Sequence, residues 1–243
     1  MRKKYQIRFA GRLVIFSSLC LTYLLRPAAF SILRGVSFFS HISILHVAWI
    51  VWMGDMILQL LPARKFMSLG AQKQFFRNFR PASVQRPSAL RAATHANNMA
   101  ALKVFLLWSA VTAALGILHA RQILGNAELL LVTGFFYISD LVCVLFWCPF
   151  RVFFLKNRCC ITCRIFNWDH LMMFCPLIFV GGFYAVSLVA MAAVVFLVWE
   201  LFVRIHPERF WEGTNAALLC GACQEFLCGK KHPAELPNPT ECR

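Results

Sequence analysis

Long apolar runs alternate with short polar segments along most of this 243-residue chain. A helix that crosses lipid needs about 20 apolar residues, because its backbone polar groups must be satisfied within the helix itself. Four runs have about this length, and they cover residues 13–33, 41–61, 100–118 and 128–147. Arg26-Pro27 interrupts the first run, and proline follows the second and fourth runs at Pro62 and Pro149. The pattern predicts four membrane helices in this part of the chain.

A fifth apolar stretch follows Asp169 and continues to Ile205. It is too long for one ordinary membrane helix and short for two. The Gly181-Gly182 pair inside it is a strong turn signal. One long tilted helix therefore competes with a tight hairpin of two short helices, residues 171–181 and 183–203.

The basic residues favour the hairpin, because the cytoplasmic loops of membrane proteins carry an excess of lysine and arginine. Five such residues precede the first helix, seven lie in loop 62–99, four in loop 148–170 and five in the C-terminal tail. The alternate loops hold only Arg26, Arg34 and Arg121. A hairpin places the four basic segments on one side, whereas a single long helix would move the tail across the membrane. We therefore predict six membrane segments with both termini in the cytoplasm.

The composition supports a membrane location. Hydrophobic residues make up 60% of the chain and charged residues 14%, against about 45–50% and about 25% in soluble domains. A domain of this size cannot bury such an excess. The net charge of +15 is spread over the segments between apolar runs, which favours contact with anionic headgroups over nucleic acid. The sequence thus predicts an all-α polytopic transmembrane helix bundle with no nucleic-acid partner.

The N-terminus shares two features with a secretory signal peptide, namely the basic Arg2-Lys3-Lys4 and the apolar run that starts at Leu13. The run ends without a small-x-small cleavage site outside the apolar stretch, so we expect a retained first helix.

The predicted domain organisation has three parts. Residues 1–205 form the transmembrane domain, 206–231 a cytoplasmic cysteine-containing tail that packs on loop 148–170, and 232–243 a disordered tail. Loop 62–99 mixes its basic residues with apolar ones such as Phe66 and Phe76. It is either an amphipathic segment that lies on anionic headgroups or an ordinary basic loop that fixes topology.

The chain is cysteine-rich, with eleven cysteines. A C-x-x-C pair at Cys160 and Cys163 is matched by another at Cys220 and Cys223. Two such pairs supply the four thiolates of a structural zinc site, and the reducing cytosol favours metal over disulfide. The hairpin between the pairs would return them to one face, where they would form a small cytoplasmic metal knuckle. The spare candidate ligands are Cys148, Cys159 and Cys228.

The same cysteines permit two other interpretations. An iron–sulfur cluster is the alternative cofactor, since additional thiolates allow other ligand sets. A dithiol centre is the other, because a C-x-x-C motif lowers the pKa of a thiol. Cys20, Cys143 and Cys175 lie within apolar runs and are expected to be inert small hydrophobic residues.

Ionisable residues inside membrane helices are costly, so they mark candidate functional positions. The predicted segments place a tier of such residues near the cytoplasmic boundary: Asp55, Lys103, Asp140 and Glu200. Asp55 and Asp140 would bind the ion in a small cation or proton-coupled transporter. The alternative is a satisfied ion pair between Lys103 and one of these aspartates. Asp169 and His170 mark the start of the hairpin.

The sequence contains no signature of a soluble enzyme, such as a glycine-rich phosphate loop, H-E-x-x-H or G-x-S-x-G. The leading hypothesis is a membrane protein whose cytoplasmic face is stabilised by the zinc site, as a structural element or as a surface presented to a protein partner. A membrane redox protein and a small transporter are the two alternatives.

Overall fold

The computed structural model describes residues 2–40, 42–82, 87–223 and 225. Every regular element within these residues is helical. The α-helices are α1 (Arg2–Leu25), α2 (Ile44–Leu60), α3 (Leu69–Gln72), α4 (Pro87–Ala120), α5 (Asn126–Leu145), α6 (Asp169–Phe174) and α7 (Gly182–Ile205). Short 3-10 turns and one π-helical segment, Phe150–Leu155, lie between them. The predicted disordered tail and the spare ligand Cys228 lie outside the described residues.

Among the described residues, four helices are long and apolar enough to cross a bilayer: α1, α4, α5 and α7. Helix α2 is also apolar but has 17 residues. Large apolar side chains are exposed on the outer faces, including Ile50 on α2, Leu106 on α4 and Leu197 on α7. Such faces are unfavourable in water, whereas lipid solvates them. The chain is therefore a multi-pass membrane protein.

Two helices begin or end elsewhere than the apolar pattern predicts. The first ends at Leu25, and Pro27–Leu33 forms a separate 3-10 helix. Proline cannot donate a backbone hydrogen bond and clashes with the preceding turn, so it stops α1. The third begins at Pro87 rather than at residue 100, because proline is well suited to the first turn of a helix. The start of α4 thus takes up the end of the predicted loop 62–99.

The chain reverses at the Gly181-Gly182 turn, where both glycines have positive φ angles of 68° and 70°. Before the turn α6 continues into the 3-10 helix Cys175–Phe179, and after it α7 packs back against α6. A Cβ atom on Gly182 would collide with the carbonyl oxygen of Leu33, so glycine is required there. The last apolar stretch is therefore a hairpin and not one long helix. Its first arm is too short to count among the four long helices.

The largest core cluster lies between α2, α5, α6 and α7. Trp52 is fully buried in it, and its ring contacts Tyr137 and Phe174 edge-on at centroid distances of 5.7 and 5.4 Å. Helix α1 packs along α5, where Gly134 leaves room for the ring of Phe16. This packing brings the start of α1, the ends of α2 and α5 and the start of α6 together at one end of the bundle.

Residues 67–74 of the basic loop are buried and help to close that end. Ser68 caps α3, because its hydroxyl accepts a hydrogen bond from the backbone N–H of Ala71. Phe66 and Phe76, on either side of this stretch, remain exposed. The central part of the loop therefore belongs to the folded end of the bundle, and only its flanks have the exposure that a lipid-facing segment needs.

Candidate functional site

An ion pair inside the bundle joins α1 to α5. Arg12 Nη1 lies 2.6 Å from Asp140 Oδ2 and donates a second hydrogen bond to the carbonyl oxygen of Tyr137. The guanidinium group also lies over the Tyr137 ring, 4.0 Å from its centroid. Both charged side chains are largely buried, so each depends on the other for compensation.

A second polar group forms where α6 meets α2. His170 Nδ1 lies 3.1 Å from Asp169 Oδ1, and Gln59 Nε2 donates to Asp169 Oδ2 over 3.3 Å. The His170 and Gln59 side chains are only 1% and 2% exposed. Asp169 therefore has a histidine and an amide as close partners.

Asp55 differs from the other two aspartates of this region. Its close contact is a hydrogen bond from the hydroxyl of Tyr137, at a long 3.3 Å. None of the ion pairs among the described residues includes Asp55, whereas Asp140 is paired with Arg12 and Asp169 with His170. Asp55 therefore interacts electrostatically with Arg12 and His170 but forms a direct ion pair with neither.

The three aspartates line one cavity of about 370 Å³, which we call the polar cavity. Its wall comes from α1, α2, α5, α6 and the segment that contains α3. Two buried polar atoms that belong to lining residues have no hydrogen-bond partner in the described part of the chain: His170 Nε2 and Gln59 Oε1. Buried polar groups are normally satisfied, so these atoms point to a ligand or water in the cavity.

The other two members of the predicted polar tier lie outside the polar cavity. Lys103 is exposed on the outer face of α4, and the cation beside Asp140 is Arg12. Glu200 accepts two hydrogen bonds of 2.7 Å from Arg164 and one from the indole N–H of Trp168. Of the four residues of the predicted tier, only Asp55 and Asp140 therefore line the polar cavity. Lys103 is exposed, and Glu200 joins α7 to loop 148–170.

A second, smaller cavity of about 130 Å³ adjoins the first, and we call it the thiol cavity. Asp140 and Asp169 belong to the walls of both cavities. Its lining includes four cysteines: Cys143, Cys148, Cys160 and Cys163. The first C-x-x-C pair thus shares a cavity with a residue from the end of α5 and one from the segment that follows α5.

The environments of these thiols differ. Interaction with the neighbouring Cys143 side chain lowers the pKa of the Cys148 thiol to about 6. The backbone N–H of Arg151 also donates to Cys148 Sγ over 3.4 Å. Burial instead raises the pKa of the Cys163 thiol to about 11 and raises that of Cys160 as well. Cys148 is therefore the thiol of this cavity that ionises most readily.

The second C-x-x-C pair lies in a tail segment that packs against loop 148–170. Arg158 bridges the two through Glu212 at 2.6 Å and the carbonyl oxygen of Leu218 at 3.2 Å. Cys159 and Cys223 pack against the same small apolar cluster. Residues 2–40, 42–82, 87–223 and 225 nevertheless contain no group of three or more His, Cys, Asp or Glu side chains placed to hold a metal. The four-cysteine ligand set remains a prediction.

Sequence reasoning misses three side chains that contact the aspartates of the polar cavity, namely Arg12, Gln59 and Tyr137. Arg12 was counted with the basic N-terminal segment, although Tyr5, Arg8 and Arg12 recur at the spacing of one helix face. Gln59 follows Asp55 by four residues and so shares its face of α2. The helical spacing of polar residues at the ends of the apolar runs is the sequence signal that could identify Arg12 and Gln59.

The chain matches no protein-family model, and no curated protein or solved structure is significantly similar to it. The geometry and chemistry of the two cavities therefore carry the functional inference.

Proposed function

We propose that this membrane protein is a small proton-coupled transporter, in which Asp55 receives the proton from the polar cavity. The carrying observation is the difference between the three aspartates of that cavity. Asp140 and Asp169 have Arg12 and His170 beside them, whereas Asp55 has a long hydrogen bond from Tyr137. An ionisable residue inside a membrane bundle that has no direct ion-pair partner is a candidate site for a proton or a cation.

The geometry favours a proton over a metal ion. A metal ion requires several converging ligands, and the described residues offer no group of three or more side chains placed for one. A proton needs a single carboxylate, and Tyr137 lies within hydrogen-bonding distance of it. His170 Nε2 and Gln59 Oε1 supply further polar atoms in the same cavity. The volume of about 370 Å³ is adequate for a small polar solute beside the proton.

The topology that accompanies this proposal has six membrane segments and both termini in the cytoplasm. Helix α2 is about 26 Å long at about 1.5 Å per residue, close to the thickness of the hydrocarbon layer. In this topology the arm made by α6 and its 3-10 extension enters the membrane from the cytoplasmic side. The C-terminal tail begins on that same side. The described parts of the basic segments contact one another at the end of the bundle that holds both cavities. This clustering of basic segments supports a cytoplasmic location for that end.

The proposal is tested in proteoliposomes that contain a pH-sensitive dye. Small polar solutes, including amines, amino acids and carboxylic acids, are added outside at equal pH. A cotransported solute will change the internal pH in wild-type vesicles, and Asp55→Asn will abolish that change. The matched control is Glu128→Gln, which removes a carboxylate near the other end of α5 that is bonded to Tyr23. Wild-type vesicles that behave like empty ones, or an Asp55→Asn variant that still transports, contradict the proposal.

A second candidate is the zinc site formed by Cys160, Cys163, Cys220 and Cys223, which would hold the cytoplasmic face together. The packing of the tail on loop 148–170 through Arg158 supports it. Elemental analysis of purified protein, beside a Cys160→Ser/Cys223→Ser variant, is the test. One zinc per wild-type chain and none in the variant is the expected result, and metal-free wild-type protein would contradict it.

A further inference from the structure

A third and larger cavity, of about 860 Å³, lies at the end of the bundle opposite the polar cavity, and we call it the serine-lined cavity. Its wall comes from residues 18–25 of α1, the connection between α1 and α2, and the first residue of α2. The polar cavity instead uses residues 5–15 of α1 and 51–59 of α2. Because α1 packs along α5 and α2 along α7, the serine-lined cavity occupies a gap between α1 and α2.

The position of this cavity along α1 suits an elongated molecule. Ser18 and Arg26 both belong to the wall, and eight positions of a helix correspond to about 12 Å. Helix α1 has 24 residues and is thus about 36 Å long, slightly more than the hydrocarbon thickness of about 30 Å. Arg26, directly after α1, therefore lies near the headgroup layer, whereas Ser18 lies deeper, among the acyl chains.

The headgroup end of the cavity presents donors for an anion. Arg26 is the only charged residue among the described residues of the wall. No ion pair or side-chain hydrogen bond within the described part of the chain involves its guanidinium group, and the hydroxyls of Ser31, Ser37 and Ser40 in the same wall also have no partner there. Guanidinium groups bind phosphate through several parallel hydrogen bonds. Arginine beside unpaired hydroxyls is therefore suited to a phosphate group.

Apolar side chains in the same wall favour a lipid over a free phosphate ion. Leu21, Leu25 and Ile44 line the cavity and are exposed on the outside of the bundle. A phosphate ion would leave these apolar surfaces without a contact, whereas the acyl chain of a lipid covers them. Basic pockets between membrane helices are known to bind lipid headgroups.

We propose that the serine-lined cavity binds a glycerophospholipid, with the phosphate group on Arg26 and the serine hydroxyls and an acyl chain along Leu21 and Leu25. The site is separate from the polar cavity and the thiol cavity. It does not depend on proton binding at Asp55.

Native mass spectrometry of the full-length protein in detergent tests the site, with phosphatidylglycerol as the probe. Wild-type protein should bind phosphatidylglycerol more tightly than diacylglycerol with the same acyl chains. Arg26→Gln should weaken the binding roughly 10-fold or more, because it removes hydrogen bonds to a charged group. The matched control is Arg34→Gln, which removes another exposed arginine of the same connection that does not line the cavity. This control should bind as the wild type does, and an equal loss in both variants overturns the proposal.

Two measurements on the wild-type protein need no variant to fold. Glycerol 1-phosphate should not displace phosphatidylglycerol at equal concentration, and displacement would assign the site to a free phosphate compound instead. A photoactivatable phosphatidylglycerol should crosslink to residues 18–44. Crosslinks spread evenly over the outer faces of α4 and α7, or diacylglycerol that binds as tightly as phosphatidylglycerol, overturn the lipid site.

Discussion

Lys73 is fully buried, although it comes from the most basic loop of the chain. Its ammonium group donates hydrogen bonds to the carbonyl oxygens of Ile161 and Cys163, at 3.1 and 2.6 Å. It also lies 5.2 Å from the ring centroid of Trp199. Lys73 thus ties residues 67–74 to the loop that supplies two thiols of the thiol cavity, and burial lowers its pKa to about 8.

Lys73→Met should destabilise the protein, because it leaves the carbonyl oxygens of Ile161 and Cys163 buried without donors. An unsatisfied buried group costs about 1–3 kcal/mol, and chemical unfolding in detergent will measure the loss.

The folded-state pKa of Lys73, about 8, is below the ordinary value of 10.5, so the unfolded chain binds more protons between these pH values. Wild-type stability should therefore rise relative to Lys73→Met as pH increases through this interval. A flat difference would show that Lys73 titrates normally.

The rate of Cys148 alkylation should depend on pH in an unusual way. With the thiol pKa lowered to about 6, the rate should reach half its maximum near pH 6 and level off above neutrality. Cys143→Ala removes the side chain that lowers this pKa most, and it should move the midpoint toward the ordinary thiol value of about 8.5. Mass spectrometry of individual peptides follows each cysteine. Cys163, whose pKa burial raises to about 11, is the internal control, and identical profiles for Cys148 and Cys163 would contradict the assignment.

At the scale of elements, the contact between α1 and α5 depends on a buried ion pair. Arg12→Met leaves Asp140 without its cation and should cost about 3–5 kcal/mol. Asp140→Leu should have a similar effect on Arg12. The double variant should recover much of the loss, because replacing a buried pair with apolar side chains is often nearly neutral. Unfolding in detergent of all four proteins completes the cycle, and additive losses would mean that the two residues do not interact.

The ion pair between Arg12 and Asp140 could not be predicted from the sequence. Its position inside an apolar run marks Asp140 as a costly residue, but its partner Arg12 is 128 positions away. That pairing depends on how α1 and α5 rotate and slide against each other, and local spacing carries no such information. The turn at Gly181-Gly182 was predictable because glycine pairs favour turns locally. Its contact with the carbonyl oxygen of Leu33 was not, since it joins distant elements.

The sequence also does not reveal which cysteines lie close together in the fold. Its position within an apolar run predicts that Cys143 is an inert hydrophobic residue. Helix α5 ends at Leu145, and the π-helical segment Phe150–Leu155 then turns the chain so that Cys160 and Cys163 face the same cavity. The C-x-x-C motif points to candidate metal ligands, whereas the tertiary path of the chain decides which cysteines lie close together.

At the scale of the whole molecule, the polar cavity, the thiol cavity and the described parts of the basic segments share one end of the bundle. The proposed topology has this end in the cytoplasm, with both termini on the same side. Reporter enzymes that are active on opposite sides of the membrane, fused to each terminus, should give the cytoplasmic signal at both. Fusions to the loop around Arg121 should give the opposite signal. A C-terminal reporter on the far side would contradict the six-segment topology.

Protonation of Asp55 inside the bundle is the central requirement of the proposed transporter. Infrared difference spectroscopy of the reconstituted protein during a pH titration measures it directly, because the carbonyl stretch of a protonated carboxyl group is resolved from that of a carboxylate. Wild-type protein should show a titrating band that is absent from Asp55→Asn and retained in Glu128→Gln. A titrating band that persists unchanged in Asp55→Asn would contradict the proton site.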